Sequence, residues 1–291
     1  MHLVRYLSGS GPRVGVLDGD GITPLAATGM AELLALPLAD LRAALDKTEG
    51  EPEPTRRLLP PLDGRGEVWC AGVTYARSRS ARMEESSEQS VYDRVYWADR
   101  PEVFLKSPAW RLVTDGDPIG IRTDSGHDVP EPELAVVANA HGEIVGFTVC
   151  NDMSSRSIEG ENPLYIPQAK VFAGGCALSP GIRPVWEVPD PAALTITASV
   201  RRSDAEVFAG TTSTSQLVRR LQDLVDVLFV GSDFPDGVIL STGTGIVPDM
   251  DFRLEAGDVV RIEIDEVGSL TNTVVVGKEP FGYLATEEAA R

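Results

Sequence analysis

The chain has 291 residues, with 44 acidic side chains against 26 lysines and arginines, and its formal charge at neutral pH is −18. This length fits one large domain or a domain with a small appendage, and 42 % hydrophobic residues suffice for a packed core. The negative charge argues against nucleic acids and anionic membranes as partners. No apolar run approaches the ~18 residues of a membrane helix, and we expect no secretory signal.

The three cysteines, Cys70, Cys150 and Cys176, are odd in number and far apart. They form no pair at zinc-binding spacing, which excludes a disulfide framework and argues against a structural zinc. We expect three buried free thiols in a cytoplasmic protein.

The N-terminal segment has its own pattern of elements. Residues 3–7 and 13–17 predict a hairpin, and leucines at helical spacing over 30–47 predict one or two short helices broken at Pro37. Four prolines among charges make 48–62 typical of a linker. We therefore expect a small α+β module and linker over 1–62 and the main domain over 63–291.

Strands dominate the rest of the chain. Short valine- and isoleucine-rich segments bounded by turn residues predict strands at 68–73, 101–106, 133–139, 143–150, 194–200, 237–242 and 259–264. Residues 77–95 are polar and predict helix, and apolar positions from Leu217 to Leu228 predict one amphipathic helix. Because strands outnumber helices without alternating regularly with them, the pattern favours an α+β fold that is mostly β.

Several common catalytic motifs are absent, among them the serine-hydrolase elbow, the zinc-protease helix and the P-loop. The triplet 243–245, Gly-Thr-Gly, is compatible with a phosphate loop. A tight turn at a strand end is the favoured interpretation because Pro248 follows closely. Of three histidines, His127 is the candidate on which histidine-based catalysis would depend.

Two glutamates at the start of an apolar strand carry the sharpest signal. Glu131 and Glu133 are two residues apart, so in a strand they lie on one face and repel each other. A cation would compensate, and Asp152, at the end of the next predicted strand, could add a third carboxylate. Three carboxylates suit Mg²⁺, with Mn²⁺ or Ca²⁺ as alternatives. The competing interpretation is a solvated acidic strand end.

Lysine is scarce, with four residues against 22 arginines. Lys170 lies among apolar, proline and glycine residues, where a lowered pKa would suit a base, an acid or a Schiff-base amine. Lys106 ends the predicted strand 101–106. For both residues the alternative is a salt-bridged structural lysine.

These motifs together resemble the fumarylacetoacetate hydrolase family from about residue 67 to 278. The matching parts are 72–75, 100–106, 131–137, 146–156, Lys170 and 241–248. The resemblance implies a β-rich roll of mixed sheets and a divalent ion, usually Mg²⁺, bound by Glu131, Glu133 and Asp152. It further implies a 2-oxo acid chelated by that ion, and a homo-oligomer, either dimer or tetramer.

One departure from the family pattern narrows the expected reaction. Hydrolytic members carry a histidine shortly after G-x-N-Y, whereas here Thr74 replaces the asparagine and no histidine follows. The sequence resembles more closely the branch that dehydrates 2-dehydro-3-deoxy-D-arabinonate to 2,5-dioxopentanoate. The expectation is therefore a metal-dependent hydro-lyase of pentose catabolism.

For this reaction the resemblance implies two groups that move protons and several that hold the substrate. We expect Lys170 to take the C3 proton and Glu102 to assist loss of the C4 hydroxyl or the C5 proton shift. The expected substrate-binding residues are Ser78, Arg79, Lys106 and Thr244. Residues 77–98 could form a lid.

Three alternatives stay open from the sequence. The same metal site could support acylpyruvate hydrolysis or oxaloacetate decarboxylation. Lys170 could act as a metal-independent Schiff-base amine. The chain could also bind a 2-oxo acid without turning it over.

Overall fold

The computed structural model describes residues 1–48, 50–54, 57–85 and 89–286. Its strands are β1 His2–Ser8, β2 Gly11–Asp18, β3 Gly21–Pro24, β4 Glu53–Pro54, β5 Leu58–Leu59, β6 Glu67–Gly72, β7 Glu102–Pro108, β8 Pro118–Ile121, β9 Asp128–Val129, β10 Pro132–Ala138, β11 Ile144–Asp152, β12 Ser154–Ser155, β13 Cys176–Leu178, β14 Gly181–Pro184, β15 Thr195–Arg202, β16 Ala205–Ser213, β17 Val238–Ser241, β18 Val259–Ile264 and β19 Gly268–Val276. Its α-helices are α1 Met30–Leu34, α2 Leu38–Leu45, α3 Ala76–Glu85, α4 Gln89–Trp97, α5 Arg156–Glu161, α6 Ile166–Lys170 and α7 Leu221–Gly231.

Two mixed sheets form the body of the protein. The larger sheet has the order β4-β3-β2-β1-β14-β11-β10-β17-β6-β7, with β13 on β11 and β5 on β1. The second sheet has the order β16-β15-β18-β19-β8. Pairing is antiparallel except between β17 and β6 and between β19 and β8. The predicted strand-rich α+β class and all seven predicted strands are confirmed.

Strand β10 lies at the centre of the core, and all seven of its residues are buried. Leu134 and Val136 pack in one cluster with the second sheet, while Ala135 and Val137 pack in another with the leucines of α1 and α2. A strand covered on both faces requires apolar residues at every position rather than alternation. This requirement explains the uninterrupted apolar run that follows Glu133.

The N-terminal elements match their predictions, with a hairpin of β1 and β2 and two helices separated at Pro37. Strand β1 pairs with β14, so the N-terminal strands extend the larger sheet. The predicted linker contains β4 and β5, and part of it, residues 49 and 55–56, lies outside the described residues. A boundary near residue 62 stays a prediction.

The prediction for the amphipathic helix was wrong at its start. Helix α7 begins at Leu221, whereas Leu217 forms a bridge with Tyr75, and the Val218 amide donates to the Thr74 carbonyl at 3.0 Å. The backbone of 217–218 is therefore extended, because it pairs with the chain just before α3. Tertiary pairing overrides helical periodicity here.

The cysteine prediction is confirmed, because Cys70, Cys150 and Cys176 are all buried free thiols. Among the described helices, none combines the length and apolar character needed to cross a membrane.

Packing of α1 against the larger sheet gives a testable prediction. Leu34 is fully buried, and Leu34→Ala should lower the free energy of unfolding by about 2–5 kcal/mol through lost burial and a cavity. Leu164 is 83 % exposed, so Leu164→Ala should change it by less than about 0.5 kcal/mol. Chemical denaturation measures both, and equal effects would contradict the packing described.

Candidate functional site

Strand register brings the three predicted carboxylates together. In the antiparallel pair of β10 and β11, Pro132 lies opposite Asn151, and the Asp152 amide donates to the Glu131 carbonyl at 3.0 Å. Asp152 is thus the cross-strand neighbour of Glu131, and Glu133 lies two residues further on the same face. The alternation predicted from the sequence therefore places all three side chains at one sheet end.

Each of the three residues offers a carboxylate oxygen, and these oxygens lie within 4.8 Å of one another. Glu131, Glu133 and Asp152 are only 3 %, 2 % and 1 % exposed. The alternative of a solvated acidic strand end is therefore wrong. Three carboxylates this close in a buried place require compensating charge, because their repulsion is screened much less than it is in water.

Three cations supply this compensation at Glu131. Its Oε2 accepts from Lys170 Nζ at 2.6 Å, while Arg82 Nη2 and Arg156 Nη2 lie 2.7 and 2.9 Å from Oε1. Burial by itself would raise the pKa of Glu131. Lys170, Arg156 and Arg82 outweigh burial and lower the pKa, so the group stays ionised.

Glu133 has a different environment. Its Oε2 accepts from Ser241 Oγ at 2.5 Å and from the Gly243 amide at 2.8 Å. Within the described part of the chain, no lysine or arginine forms an ion pair with it. Burial, followed by the charges of Asp152 and Glu131, raises the pKa of Glu133 to about 8. A bound cation would offset the repulsion of the Glu133 carboxylate by those of Asp152 and Glu131.

Lys170 is buried inside the carboxylate cluster. Besides Glu131, its Nζ donates to Asp152 Oδ2 at 3.0 Å and to Ser154 Oγ at 2.6 Å. Burial favours a lower pKa, but Asp152 and Glu131 outweigh it and raise the pKa above that of a free lysine. The expected lowered pKa was wrong, because the sequence around Lys170 did not show which carboxylates fold against it.

Lys106 lies behind the cluster and is 1 % exposed. Its Nζ donates to the Met153 carbonyl at 2.8 Å and to the Lys170 carbonyl at 2.6 Å, and it pairs with Asp152 Oδ1 at 2.5 Å. Two hydrogen bonds and one ion pair thus hold the ammonium group, and Lys106 is not among the residues that line the cavity beside the cluster. The geometry therefore argues against the expected contact between Lys106 and substrate.

Glu102 faces a cavity beside the cluster, together with Phe104 and Ile166. Burial, and next the charge of Glu159, raise the pKa of Glu102. In the part of the chain that the structure describes, its carboxylate has neither a hydrogen bond nor an ion pair. An unpaired carboxyl group with a raised pKa suits proton transfer.

Ser78 and Thr244 also line this cavity. Ser78 Oγ donates to the Tyr75 carbonyl at 2.8 Å, and Thr244 Oγ1 donates to the Ile246 carbonyl at 3.1 Å. Thr244 follows Gly243, whose φ is +92° and whose Cα has no room for a Cβ beside Thr74. The chain bends after the end of β17, and the described chain has no helix before β18, which favours a strand-end bend over a phosphate loop.

Arg79 does not line the cavity, contrary to its expected role. Its guanidinium lies over the rings of Tyr96 and Trp97 and 3.6 Å from Asp93 on α4. Arg82 enters the cavity instead. Because Arg82 lies four residues after Ser78, helical spacing could have placed both on one face.

Arg156 and Glu159 were also missed as site residues. Both lie on α5, where Arg156 reaches Glu131 and Glu159 Oε2 lies 2.7 Å from Arg82 Nη1. Arg156 and Glu159 are three residues apart, a spacing that places both on one face of a helix. Only the fold shows that this face of the short helix lies against Glu131 and Arg82. His127 lies outside the cavity, with its Nε2 2.8 Å from the Phe252 carbonyl.

Helices α3 and α4 confirm the predicted helical segment, and α3 lines the cavity through Ser78 and Arg82. Residues 86–88 of the expected lid lie outside the described residues. Movement of a lid stays a prediction.

The donors fit a hard divalent ion. Glu131, Glu133 and Asp152 offer only carboxylate oxygens, the ligands preferred by Mg²⁺ and Ca²⁺. Two further carboxylates, on Glu102 and Glu159, make five carboxylates, against four cations at Arg82, Lys106, Arg156 and Lys170. With all five carboxylates ionised, the formal charge is −1, and a divalent ion would change it to +1, which suits an anionic ligand.

Comparison with known proteins identifies the family. Residues 67–275 match the family model described as "Fumarylacetoacetate (FAA) hydrolase C-terminal", so the chain belongs to the fumarylacetoacetate hydrolase family. This match covers nearly the same span as the resemblance noted in the sequence.

Similar proteins include two archaeal dehydratases. The chain is 47 % identical over 219 residues to a probable 2-keto-3-deoxyxylonate dehydratase of Haloferax volcanii, covering 75 % of each chain. It is 40 % identical over 222 residues to the 2-dehydro-3-deoxy-D-arabinonate dehydratase of Saccharolobus solfataricus, covering 75 % of this chain and 74 % of that one.

A solved structure confirms the expected fold. The chain resembles 2-keto-3-deoxy-D-arabinonate dehydratase complexed with magnesium and 2,5-dioxopentanoate, with a TM-score of 0.83 and 32 % identity. The match covers 96 % of this chain and 100 % of that one.

The contrast between Arg82 and Arg79 is testable through stability. Arg82→Met leaves Glu159 buried without its ion pair and should lower the free energy of unfolding by about 3–5 kcal/mol. Arg79→Met removes a half-exposed pair and should cost about 1 kcal/mol or less. Urea denaturation of both variants measures the difference. A larger loss for Arg79→Met would contradict this placement.

Proposed function

We propose that this protein is a divalent-metal-dependent dehydratase that converts 2-dehydro-3-deoxy-D-arabinonate to 2,5-dioxopentanoate. The observation that carries the proposal is the buried cluster of Glu131, Glu133 and Asp152 beside a cavity that also presents the unpaired carboxyl group of Glu102. Relatives at 47 % and 40 % identity named as dehydratases support the substrate class.

We propose Glu131, Glu133 and Asp152 as ligands of Mg²⁺, in keeping with the magnesium in the similar solved structure. A bound Mg²⁺ supplies Lewis acidity, which polarises the 2-oxo group and makes the C3 proton more acidic. With the ion bound, the site has the net positive charge that the substrate carboxylate would neutralise.

We assign the proton transfers to Glu102. Its carboxylate takes a proton from C3 and, as the acid, returns it to the C4 hydroxyl, which leaves as water. A second transfer, from C5 to C3, converts the resulting alkene into an enol with its double bond between C4 and C5. Transfer of the enol hydroxyl proton to C4 then gives the aldehyde. Burial, and next the charge of Glu159, raise the pKa of Glu102, which makes its carboxylate a stronger base toward the C3 proton than an ordinary glutamate.

This assignment differs from the expectation from the sequence, in which Lys170 takes the C3 proton and Glu102 acts only in the later steps. Lys170 is held as an ammonium ion by Glu131 and Asp152, so it lacks the free electron pair that a base or a Schiff-base amine needs. Its positive charge is suited to stabilising the negative charge that develops at the 2-oxo end of the substrate.

Polar groups of the cavity wall are proposed to hold the substrate hydroxyls. These groups are Ser78, Arg82, Glu159 and Thr244. None of the three histidines lines the cavity, and Thr74 Oγ1 donates to the Thr242 carbonyl at 2.6 Å. No histidine is therefore placed to activate water for hydrolysis of a carbon–carbon bond. A homo-oligomer in the cytoplasm stays a prediction from the family.

The reaction itself is the first test. Protein treated with EDTA should convert 2-dehydro-3-deoxy-D-arabinonate to 2,5-dioxopentanoate only after Mg²⁺ is added, because the substrate needs the polarised 2-oxo group. Chromatography of the product measures this. Metal binding without product would overturn the dehydratase proposal, and acylpyruvates and oxaloacetate would then separate the other enzyme functions from a non-catalytic binder.

Two variants separate metal binding from proton transfer. Glu102→Gln should lower kcat by about 10²–10⁴-fold and leave Mg²⁺ affinity unchanged, because the residue moves a proton but holds no metal. Glu131→Gln should lose both Mg²⁺ affinity and turnover. The exposed Glu206→Gln serves as the matched control. Full turnover by Glu102→Gln would sink its assignment.

A further inference from the structure

Lys106 occupies a position that the proposed reaction does not use. It is buried at the end of β7, and its ammonium group meets Asp152 Oδ1 at 2.5 Å, the Met153 carbonyl at 2.8 Å and the Lys170 carbonyl at 2.6 Å. One side chain thus joins three segments: its own strand, the end of β11 and the end of α6.

Each of the three acceptors needs a partner in this place. Asp152 is 1 % exposed, and an unpaired buried carboxylate is costly. Lys170 is the last residue of α6, where the final carbonyls of a helix lack intrahelical donors, and a cation there is favourable. The Met153 carbonyl lies directly after the strand that carries Asp152.

The two oxygens of Asp152 are therefore held from opposite sides. Lys106 pairs with Oδ1, and Lys170 donates to Oδ2. The Lys170 side chain can release Oδ2 to a metal ion while Lys106 keeps the Asp152 carboxylate plane in position. Partners of this kind orient metal ligands and commonly change metal affinity.

We propose that Lys106 is a positioning residue for the metal site: it orients Asp152 as a ligand, and its hydrogen bonds to the Met153 and Lys170 carbonyls hold its ammonium group in place. This inference rests on the proposed role of Asp152 as a metal ligand. A residue with a general structural role would change metal affinity whether or not Asp152 is present. The proposed role of Lys106 predicts a change in metal affinity only when the Asp152 carboxylate is present.

A double-mutant cycle on metal affinity tests the inference. Mn²⁺ binding is measured by EPR titration for the wild type, Lys106→Met, Asp152→Asn and the double variant. Lys106→Met should raise the Mn²⁺ Kd by about 10–100-fold. Adding it to Asp152→Asn should change the Kd by less than about twofold, because the carboxylate is already gone.

The exposed Lys47→Met is the matched control and should bind Mn²⁺ as the wild type does. An unchanged Kd for Lys106→Met, or effects that multiply in the double variant, would overturn the inference. If wild-type protein binds Mn²⁺ but forms no 2,5-dioxopentanoate, only the proposed reaction fails. If the wild-type protein binds no Mn²⁺, the proposed reaction and the inference about Lys106 both fail.

A measurement on the unaltered protein covers the case in which Lys106→Met does not fold. The chain has four lysines, of which Lys47 and Lys278 are exposed. Lysine-selective ¹⁵N labelling should therefore give two exchange-protected ammonium signals in NMR, from Lys106 and Lys170. Both should shift on Mg²⁺ addition, and a shift of only one would contradict the inference.

Discussion

Three carboxylates whose oxygens lie within 4.8 Å of one another in a buried place are the constraint on which the site depends. Their repulsion in a medium of low dielectric constant is costly unless cations and hydrogen-bond donors surround them or one of them binds a proton. The fold supplies these partners from β7, α3, α5, α6 and the turn after β17. Each of these elements brings one of its side chains or amides to a carboxylate.

The cationic partners are distributed unequally between Glu131 and Glu133, and this difference affects the protonation of the two groups. Glu131 meets three cations and stays ionised. Among the described residues, Glu133 meets a hydroxyl and an amide but no ion-pair partner, and burial, then the charges of Asp152 and Glu131, raises its pKa to about 8. The cluster without metal therefore lacks one positive partner at Glu133. Glu102, a few residues from Lys106 on β7, has no partner among the described residues and is the group left free for proton transfer.

The rest of the protein serves to hold this cluster rigidly. Strand β10 is covered on both faces, so the strand that carries Glu133 cannot shift without exposing apolar side chains on one side or the other. The antiparallel register with β11 then places Asp152 beside Glu131. Strand β1 extends the same sheet through β14, which links the N-terminal helices to the sheet that carries the site.

The sequence by itself determined the elements that obey local rules. Apolar segments of β-branched residues predicted the strands, and Pro37 predicted the break between two helices. The two-residue spacing of Glu131 and Glu133 predicted a shared face. These features depend on backbone periodicity, which is encoded by neighbouring residues. The place of Asp152 at the end of the next predicted strand suggested a third carboxylate, and the family resemblance added the class of reaction.

Only the tertiary structure decided which charged groups meet. Lys170 was expected to have a lowered pKa from its apolar neighbours in the chain, but the carboxylates of Asp152 and Glu131, which are distant in the chain, raise it. Arg82, rather than Arg79, enters the cavity, and Lys106 faces away from it toward Asp152. Helix α7 begins four residues later than its apolar pattern predicted, because 217–218 pairs with the chain near Thr74. Charge interactions and strand pairings join residues far apart in the chain, and no local pattern records them.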